Sequence, residues 1–285
     1  MTHTSADQLQ RFSFDDTVIR GEIAHLNTTY QEVLNRHQYP DRVARPLGEL
    51  MVATALLSTT LKFKGRITLQ VRLPGNVSLL QAETDEQGQL RAIARYDTEQ
   101  PLDTLILTDG QLVITLEPEQ GQRYQGIVAI ESGNIAEALE NYFEQSEQLP
   151  TRFWLSCDAK SAAGFMLQRM PETTIAQNDP EDWNRIHHLA TTLKDSELLQ
   201  LDNTTLLHRL YHEENIRLYP TTELRFYCTC SRPRLATALK QLGEAELRDI
   251  LSESGNIEIN CDFCQQEYQF TPADVDAMFS QSKVH

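Results

Sequence analysis

Four of the five cysteines in this chain of 285 residues stand in two close pairs near the C-terminus. One pair is Cys228 and Cys230, separated by one residue, and the other is Cys261 and Cys264, separated by two. A Cys-x-x-Cys turn places two thiolates on one side of a metal ion, and a Cys-x-Cys segment on a locally bent strand supplies two more. The pattern therefore favours a four-cysteine site for one Zn²⁺ ion, with a first pair spaced more tightly than usual.

Clustered thiols also serve redox chemistry, and the spacing alone leaves a redox device, another metal or a chance grouping open. Zinc holds its thiolate ligands deprotonated at neutral pH, and the thiolate is the form that oxidants attack. Closing disulfides removes the ligands, and a module of about 60 residues needs such a staple to stay folded. The site is thus interpreted first as structural, and loss of zinc on oxidation would make it a reversible switch.

The charge balance argues against nucleic acid as a partner. The formal net charge is −16 and the pI is near 4.9, and an acidic chain repels phosphate backbones. Residues 224–285 hold nine acidic and six basic residues, so the cysteine-bearing part lacks a basic footprint. The N-terminus shows no apolar signal-peptide segment, and the apolar stretch 50–61 is too short to span a bilayer. We expect a soluble cytoplasmic protein with no nucleic-acid or membrane partner.

Residues 1–174 predict an α+β core domain in which strands and helices are mixed, rather than a doubly wound sheet. The mostly apolar segment 45–63 predicts a central helix with Pro46 in its first turn. Several strand-like segments follow, and the dipeptide Asp109-Gly110 predicts a hairpin.

Residues 175–223 predict a linker of three short amphipathic helices. The segment 171–223 carries ten acidic and four basic residues, so it repels itself. Isolated helices of this length are marginal in water, and we expect them to depend on packing against another part of the chain. The candidate N-caps are Asp179, then Asp195 or Ser196, then Asp202 or Asn203.

Residues 224–285 predict a compact module around the cysteines. Two helical segments end at Gly243 and near Gly255, since glycine readily takes the backbone conformation that ends a helix. Two short strands flank the CDFC turn, and a closing helix begins after Thr271. The expected architecture is an N-terminal mixed strand/helix core domain, a helical linker and a small C-terminal four-cysteine zinc domain.

The remaining candidate groups favour packing over chemistry. Cys157 is interpreted as a small core residue, and His208 and His212 have metal-ligand spacing but no evident third ligand. The sequence has no phosphate-binding glycine loop or Ser/His/Asp signature, so an enzyme is not expected. A thiol–disulfide oxidoreductase using Cys261 and Cys264 is disfavoured, because its motif belongs between a strand and a helix. A further alternative is an adaptor protein that depends on a bound zinc ion.

Longer stretches around these motifs resemble one protein family. The resemblance is carried by YCTCSRPR and CDFCQQEYQF around the cysteines, RLYHEENIRLY in the linker and RFSFDDTVIRGEI near the N-terminus. They are similar to the redox-regulated heat-shock chaperones of 33 kDa, the heat shock protein 33 family, and the similarity extends over nearly the whole chain. One departure is Ala163-Gly164, where the family usually has two glycines. It brings a local turn into question and leaves the cysteines in place.

The resemblance implies a redox-regulated, ATP-independent chaperone, or holdase, that prevents aggregation of unfolded proteins under oxidative stress. The reduced form of such a protein binds one Zn²⁺ and is an inactive monomer. Oxidants form two disulfides, here Cys228–Cys230 and Cys261–Cys264, zinc leaves, and the zinc domain and then the linker unfold. The active form is commonly a homodimer, and it passes its clients to ATP-dependent chaperones once reducing conditions return.

Unfolding of the linker would expose apolar side chains in an acidic setting that keeps complexes in solution. We hypothesise that these side chains bind unfolded clients. They are Trp183, Ile186, Leu189, Leu206, Leu207 and Leu210.

Overall fold

The computed structural model describes residues 7–15, 17–59, 64–99, 107–171 and 179–280. The chain divides into two compact units between Tyr227 and Cys228. No helix among the described residues is long and apolar enough to cross a membrane. The strands are β1 Gln8–Phe14, β2 Ile19–Leu26, β3 Gly65–Arg72, β4 Val77–Asp85, β5 Gln89–Tyr96, β6 Gly110–Pro118, β7 Tyr124–Ile130, β8 Thr151–Cys157, β9 Ala162–Arg169, β10 Ile216–Leu218, β11 Thr222–Glu223, β12 Arg225–Phe226, β13 Ile257–Asn260 and β14 Glu267–Phe270. The α-helices are α1 Thr28–His37, α2 Asp41–Ser58, α3 Ile135–Tyr142, α4 Pro180–Ala190, α5 Asp195–Gln200, α6 Asn203–Tyr211, α7 Arg232–Leu242, α8 Glu244–Ser254 and α9 Pro272–Ser280, and a π-helical turn, Phe143–Glu147, follows α3.

Two sheets with a helix between them build the first unit. The first sheet has the order β10-β1-β2-β9-β8, with β11 also paired to β1, and the second has the order β12-β5-β4-β3-β6-β7. α2 packs against strands of both sheets, and nearly every residue from Leu47 to Ser58 is buried. This arrangement confirms the α+β fold class and its central apolar helix.

The central helix differs in its bounds from the sequence prediction. It begins at Asp41, where the carbonyl of Pro40 accepts the first helical amides, so a turn forms earlier than expected. Pro46 therefore stands inside the helix, in its second turn, and its predicted place in the first turn is wrong. The helix ends at Ser58, and residues 60–63 of the predicted helix lie outside the described residues.

The structure bears on the predictions made at Asp109-Gly110 and at Ala163. Asp109 has a φ of 66° in the turn before β6, as a tight turn at Asp109-Gly110 requires. Of the strand expected before it, residues 104–106 lie outside the described residues, and Leu107 and Thr108 do not belong to a strand. Ala163 lies inside β9 and pairs with His25 of β2, so the departure from the family pattern falls in a regular strand rather than in a turn.

The linker helices α4, α5 and α6 pack on the face of the first sheet that is turned away from α2. Side chains alternate in direction along β2 and β9, so one face of the sheet contacts α2 and the other contacts the linker helices. This packing gives short helices the tertiary support that their length requires. We call the buried apolar set between sheet and helices the linker cluster; it is centred on Phe12, Phe14, Ile23 and Phe165 of the sheet and Ile186, Leu206, Leu207 and Leu210 of the helices.

Side-chain caps begin two of the linker helices as predicted. The carboxylates of Asp179 and Asp202 accept first-turn amides of α4 and α6 at 2.9 and 3.0 Å. The N-cap of α5 is Lys194 instead of Asp195 or Ser196, because a first-turn glutamate accepts the Lys194 amide and starts the helix one residue earlier.

A buried polar contact joins α6 to the first sheet. His25 of β2 and Asn203 of α6 are both almost inaccessible, and His25 Nε2 lies 3.0 Å from Asn203 Oδ1. The Asn203 side-chain amide also donates to Gln10 Oε1 in β1 at 2.9 Å. Buried polar groups are costly unless they are paired, so these bonds fix the position of α6 on the sheet.

The His25 contact predicts an acid-sensitive linker. Burial lowers the pKa of His25 below its usual 6.5, so the undocked chain binds a proton that the docked chain does not. The free energy of unfolding should therefore fall as the pH drops below about 6.5, by at most about 1.4 kcal/mol per pH unit. Denaturant unfolding from pH 7.5 to 5 should show this loss in the wild-type protein and not in His25→Gln, which keeps a donor at this position.

The measurement compares the pH profile of stability of the wild type with that of His25→Gln, because two buried carboxyl groups, those of Glu22 and Glu49, also titrate in this pH range. Burial raises the pKa values of Glu22 and Glu49 to about 7, and their contribution to stability is lost as the pH rises through that value. Their effect has the opposite sign to that of His25 and is common to both proteins. Parallel pH profiles of the wild type and His25→Gln would contradict the prediction.

A small core holds the second unit together. α7 ends before Gly243 and α8 ends before Gly255, as the sequence predicts. Both glycines have positive φ. β13 and β14 form a two-stranded antiparallel sheet around the CDFC turn. The fully apolar cluster is limited to a few side chains, so further cross-linking is needed for stability. These buried side chains are Leu239, Leu247, Ile257, Phe270, Val275 and Met278.

Candidate metal centre

The four clustered cysteines come from two segments of the second unit. Cys228 and Cys230 lie in the extended segment before α7, and Cys261 and Cys264 lie in the turn between β13 and β14. That turn is closed by two backbone hydrogen bonds of 2.9 Å, from the Cys261 amide to the Gln266 carbonyl and from the Gln265 amide to the Cys261 carbonyl. The strand-turn-strand setting predicted for the second pair is confirmed.

The sulfur atoms form a compact group of tetrahedral size. All four Sγ atoms lie within 4.8 Å of one another. Cys228 Sγ is 3.6 Å from Cys261 Sγ, and Cys230 Sγ is 3.3 Å from Cys264 Sγ. A regular tetrahedron with metal–sulfur bonds of about 2.3 Å has edges of about 3.8 Å. The four thiols are therefore positioned to bind a metal ion.

The local electrostatics disfavours four free thiolates and favours a bound cation. Burial raises the pKa values of the Cys261 and Cys264 thiols above their usual range. Backbone amides offset part of this rise, since the amides of Phe263 and Cys264 point at Cys261 Sγ and the amide of Gln266 points at Cys264 Sγ. A bound divalent cation would supply the remaining stabilisation of the thiolates, because thiolates crowded together repel one another.

Sequence reasoning missed one residue of this site. The hydroxyl of Tyr268 in β14 lies 3.2 Å from Cys230 Sγ. The signal for it was its place shortly after the Cys-x-x-Cys turn, in the strand that follows the second cysteine pair. Arg234 donates to the carbonyl and hydroxyl oxygens of Thr229 at 3.1 and 2.7 Å. These two bonds hold the Cys-x-Cys segment in place.

The other titratable candidates lie away from this cluster. Cys157 ends β8 and packs against the core around α2, where burial raises its pKa to about 12, so it is an inert thiol. His208 is exposed on α6 and His212 is exposed directly after its last residue, with ring centroids 6.0 Å apart. Among the described residues, the four cysteines form the one group of three or more His, Cys or acidic side chains spaced for a metal ion.

The hypothetical client-binding residues lie in the linker cluster. Ile186, Leu206, Leu207 and Leu210 are buried there against the first sheet. Trp183 and Leu189 are half-buried beside them and belong to the same packing. None of the four buried side chains is accessible while the helices are docked.

The chain combines an α+β body with a small unit that carries four cysteines positioned to bind a metal ion. The family model described as "Hsp33 protein" matches residues 7–271 of the chain. The chain belongs to the Hsp33 family.

Curated relatives agree over almost their whole length. The chain is 49% identical over 282 residues to the 33 kDa chaperonin of Ectopseudomonas mendocina, which covers 96% of this chain and 95% of that protein. It is 46% identical over 281 residues to the 33 kDa chaperonin of Azotobacter vinelandii, with the same coverage. The crystal structure of the heat shock protein 33 homolog from Thermotoga maritima has the same fold, with a TM-score of 0.84 and 24% identity over 97% of this chain and 99% of that one.

Proposed function

We propose that this protein is a redox-regulated, ATP-independent holdase of the cytoplasm that prevents unfolded proteins from aggregating under oxidative stress. The observation that carries the proposal is the group of four thiols within 4.8 Å, in a unit with a small apolar core of its own. It acts in three parts: a core domain at residues 1–174, a linker at 175–223 and a redox switch at 224–285. In the structure the linker helices belong with the first unit.

In the reduced state the ligands are Cys228, Cys230, Cys261 and Cys264, and the metal is one Zn²⁺ ion. The soft thiolate donors and the tetrahedral size of the group support zinc over harder cations. Bound zinc keeps the thiols deprotonated and joins the Cys-x-Cys segment to the turn between β13 and β14. The reduced protein is a monomer whose linker helices stay docked.

Oxidation converts the four thiols into two disulfides, Cys228–Cys230 and Cys261–Cys264. Each disulfide forms as two thiols give up two protons and two electrons to one oxidant, as when hydrogen peroxide becomes two water molecules. Sulfur–sulfur distances of 3.6 and 3.3 Å join cysteines of different segments, so the folded geometry does not select this pairing. Chain spacing supports it, because neighbours one or two residues apart stay close when the unit opens.

Loss of the metal ligands unfolds the second unit and then the linker. Only β10, β11 and β12, of three, two and two residues, connect α6 to Cys228 within the described chain, and such short strands hold weakly. Release of α4–α6 uncovers the apolar sheet face with Phe12, Phe14 and Phe165 as well as the linker leucines. The net charge of −16 keeps the client complex in solution. The oxidised form is a homodimer that passes clients to ATP-dependent chaperones on reduction.

Light scattering of a heat-unfolded client tests this function directly. The oxidised protein should suppress client aggregation at near-stoichiometric ratios without ATP, and the reduced zinc-bound protein should not. A chromogenic chelator added to the same samples should register one zinc ion released per chain on oxidation. Equal suppression in both redox states would overturn the proposal, and constitutive reduction of insulin disulfides would identify an oxidoreductase instead.

A further inference from the structure

The Tyr268 hydroxyl lies within hydrogen-bond distance of one of the four cysteine sulfur atoms. Its oxygen lies 3.2 Å from Cys230 Sγ, within the range of a hydrogen bond to sulfur. The residue pairs with Ile259 in the β13–β14 sheet, and its ring packs against the small apolar core of the second unit. Both constraints hold the hydroxyl in this place rather than leave it free to rotate into solvent.

This donor differs in kind from those of the second cysteine pair. Cys261 Sγ and Cys264 Sγ face backbone amides of their own turn, which no side-chain substitution can remove. Cys230 Sγ faces a phenol hydroxyl at 3.2 Å, which can donate its hydrogen to the sulfur when the sulfur is a thiolate. A single substitution can therefore remove this bond while the other sulfurs keep their donors.

We propose that Tyr268 is a positioning residue that slows the attack of oxidants on Cys230 and so limits the rate at which the Cys228–Cys230 disulfide forms. The proposal rests on the redox function proposed above. A hydrogen bond to a thiolate draws electron density from the sulfur, and it must be broken or weakened when that sulfur attacks an oxidant.

Hydrogen peroxide can serve as the oxidant that forms the Cys228–Cys230 disulfide. The Cys230 thiolate attacks one peroxide oxygen, the O–O bond breaks, and the products are Cys230 sulfenic acid and hydroxide. The Cys228 thiol then attacks the sulfenic sulfur, and the disulfide and one water molecule form. Tyr268 slows the first of these steps, because its hydroxyl contacts the Cys230 sulfur that attacks the peroxide.

Tyr268→Phe in the full-length zinc-bound protein tests the proposal. Peroxide is added, samples are quenched with alkylating reagent at timed intervals, and mass spectrometry follows each disulfide separately. The Cys228–Cys230 disulfide should form about threefold to tenfold faster than in the wild type, which is less than the full contribution of a hydrogen bond to a charged acceptor because that bond is only partly lost in the transition state. The initial Cys261–Cys264 rate, before zinc is released, should not change, and neither should zinc transfer to a chelator without oxidant.

The matched control is Tyr227→Phe, which removes a phenol hydroxyl from a half-exposed side chain beside Cys228. It should leave both disulfide rates unchanged. An unchanged Cys228–Cys230 rate in Tyr268→Phe overturns the proposal. So does an equal acceleration of both pairs with faster zinc transfer in the absence of oxidant, since that marks a loosened site. Disulfides that form as expected without any gain in client holding would contradict the proposed function and leave the role of Tyr268 intact.

Discussion

Replacing Cys228, Cys230, Cys261 and Cys264 with serine should abolish metal binding and unfold the second unit. A structural zinc site contributes apparent folding energy of about 10–16 kcal/mol, whereas whole domains are stable by only about 5–15 kcal/mol. Among the described residues of this unit, the apolar cluster has six buried side chains, too few to replace that contribution. Far-UV circular dichroism should lose the signal of α7–α9, and the purified protein should carry no zinc.

The same variant should no longer respond to oxidants. Client holding should be identical with and without peroxide, because the paired thiols that form the disulfides are gone. Cys157→Ala is the matched control, since Cys157 packs in the first unit away from the cluster. It should keep one zinc per chain and the full oxidative response. One tightly bound zinc in the four-serine variant, or a folded second unit, would show that these cysteines are not the ligands.

Short-range signals explain the parts of this fold that could be read from the sequence. Asp179 and Asp202 cap their own helices, Gly243 ends one, and the second cysteine pair, with two residues between its members, defines a turn. Each of these features depends on neighbours within a few residues, so its physical cause is visible in the chain. The early start of α2 was missed because a proline inside the second turn resembles a proline at a helix start.

Contacts between distant segments could not be inferred in the same way. His25 and Asn203 are 178 residues apart, and Cys230 and Tyr268 are 38 apart, so only the packed fold brings each pair together. The acidic, amphipathic linker predicted dependence on some partner, but its sequence does not say which surface it covers. That surface is the face of the first sheet turned away from α2, where β2 and β9 are buried on both sides.

Serine at both Leu206 and Leu210 should release the linker without any oxidant. Both side chains are buried in the linker cluster, and truncating a buried leucine costs about 2–5 kcal/mol. α6 has nine residues and cannot persist alone, so it should leave the sheet and uncover Phe165. The reduced variant should then suppress client aggregation that the reduced wild type does not. The two tryptophans of the chain, Trp154 and Trp183, both pack against this cluster, so their fluorescence should shift toward longer wavelength.

The oxidised state of the same variant separates the two roles of these leucines. If they contact clients as well as hold the linker, oxidised Leu206→Ser/Leu210→Ser should bind less client than the oxidised wild type, because both proteins expose the sheet and only the wild type retains the leucines. Equal holding by the two oxidised proteins would assign client binding to the sheet face and contradict a role for these leucines. His208→Ser, an exposed position on the same helix, should behave as the wild type in both redox states.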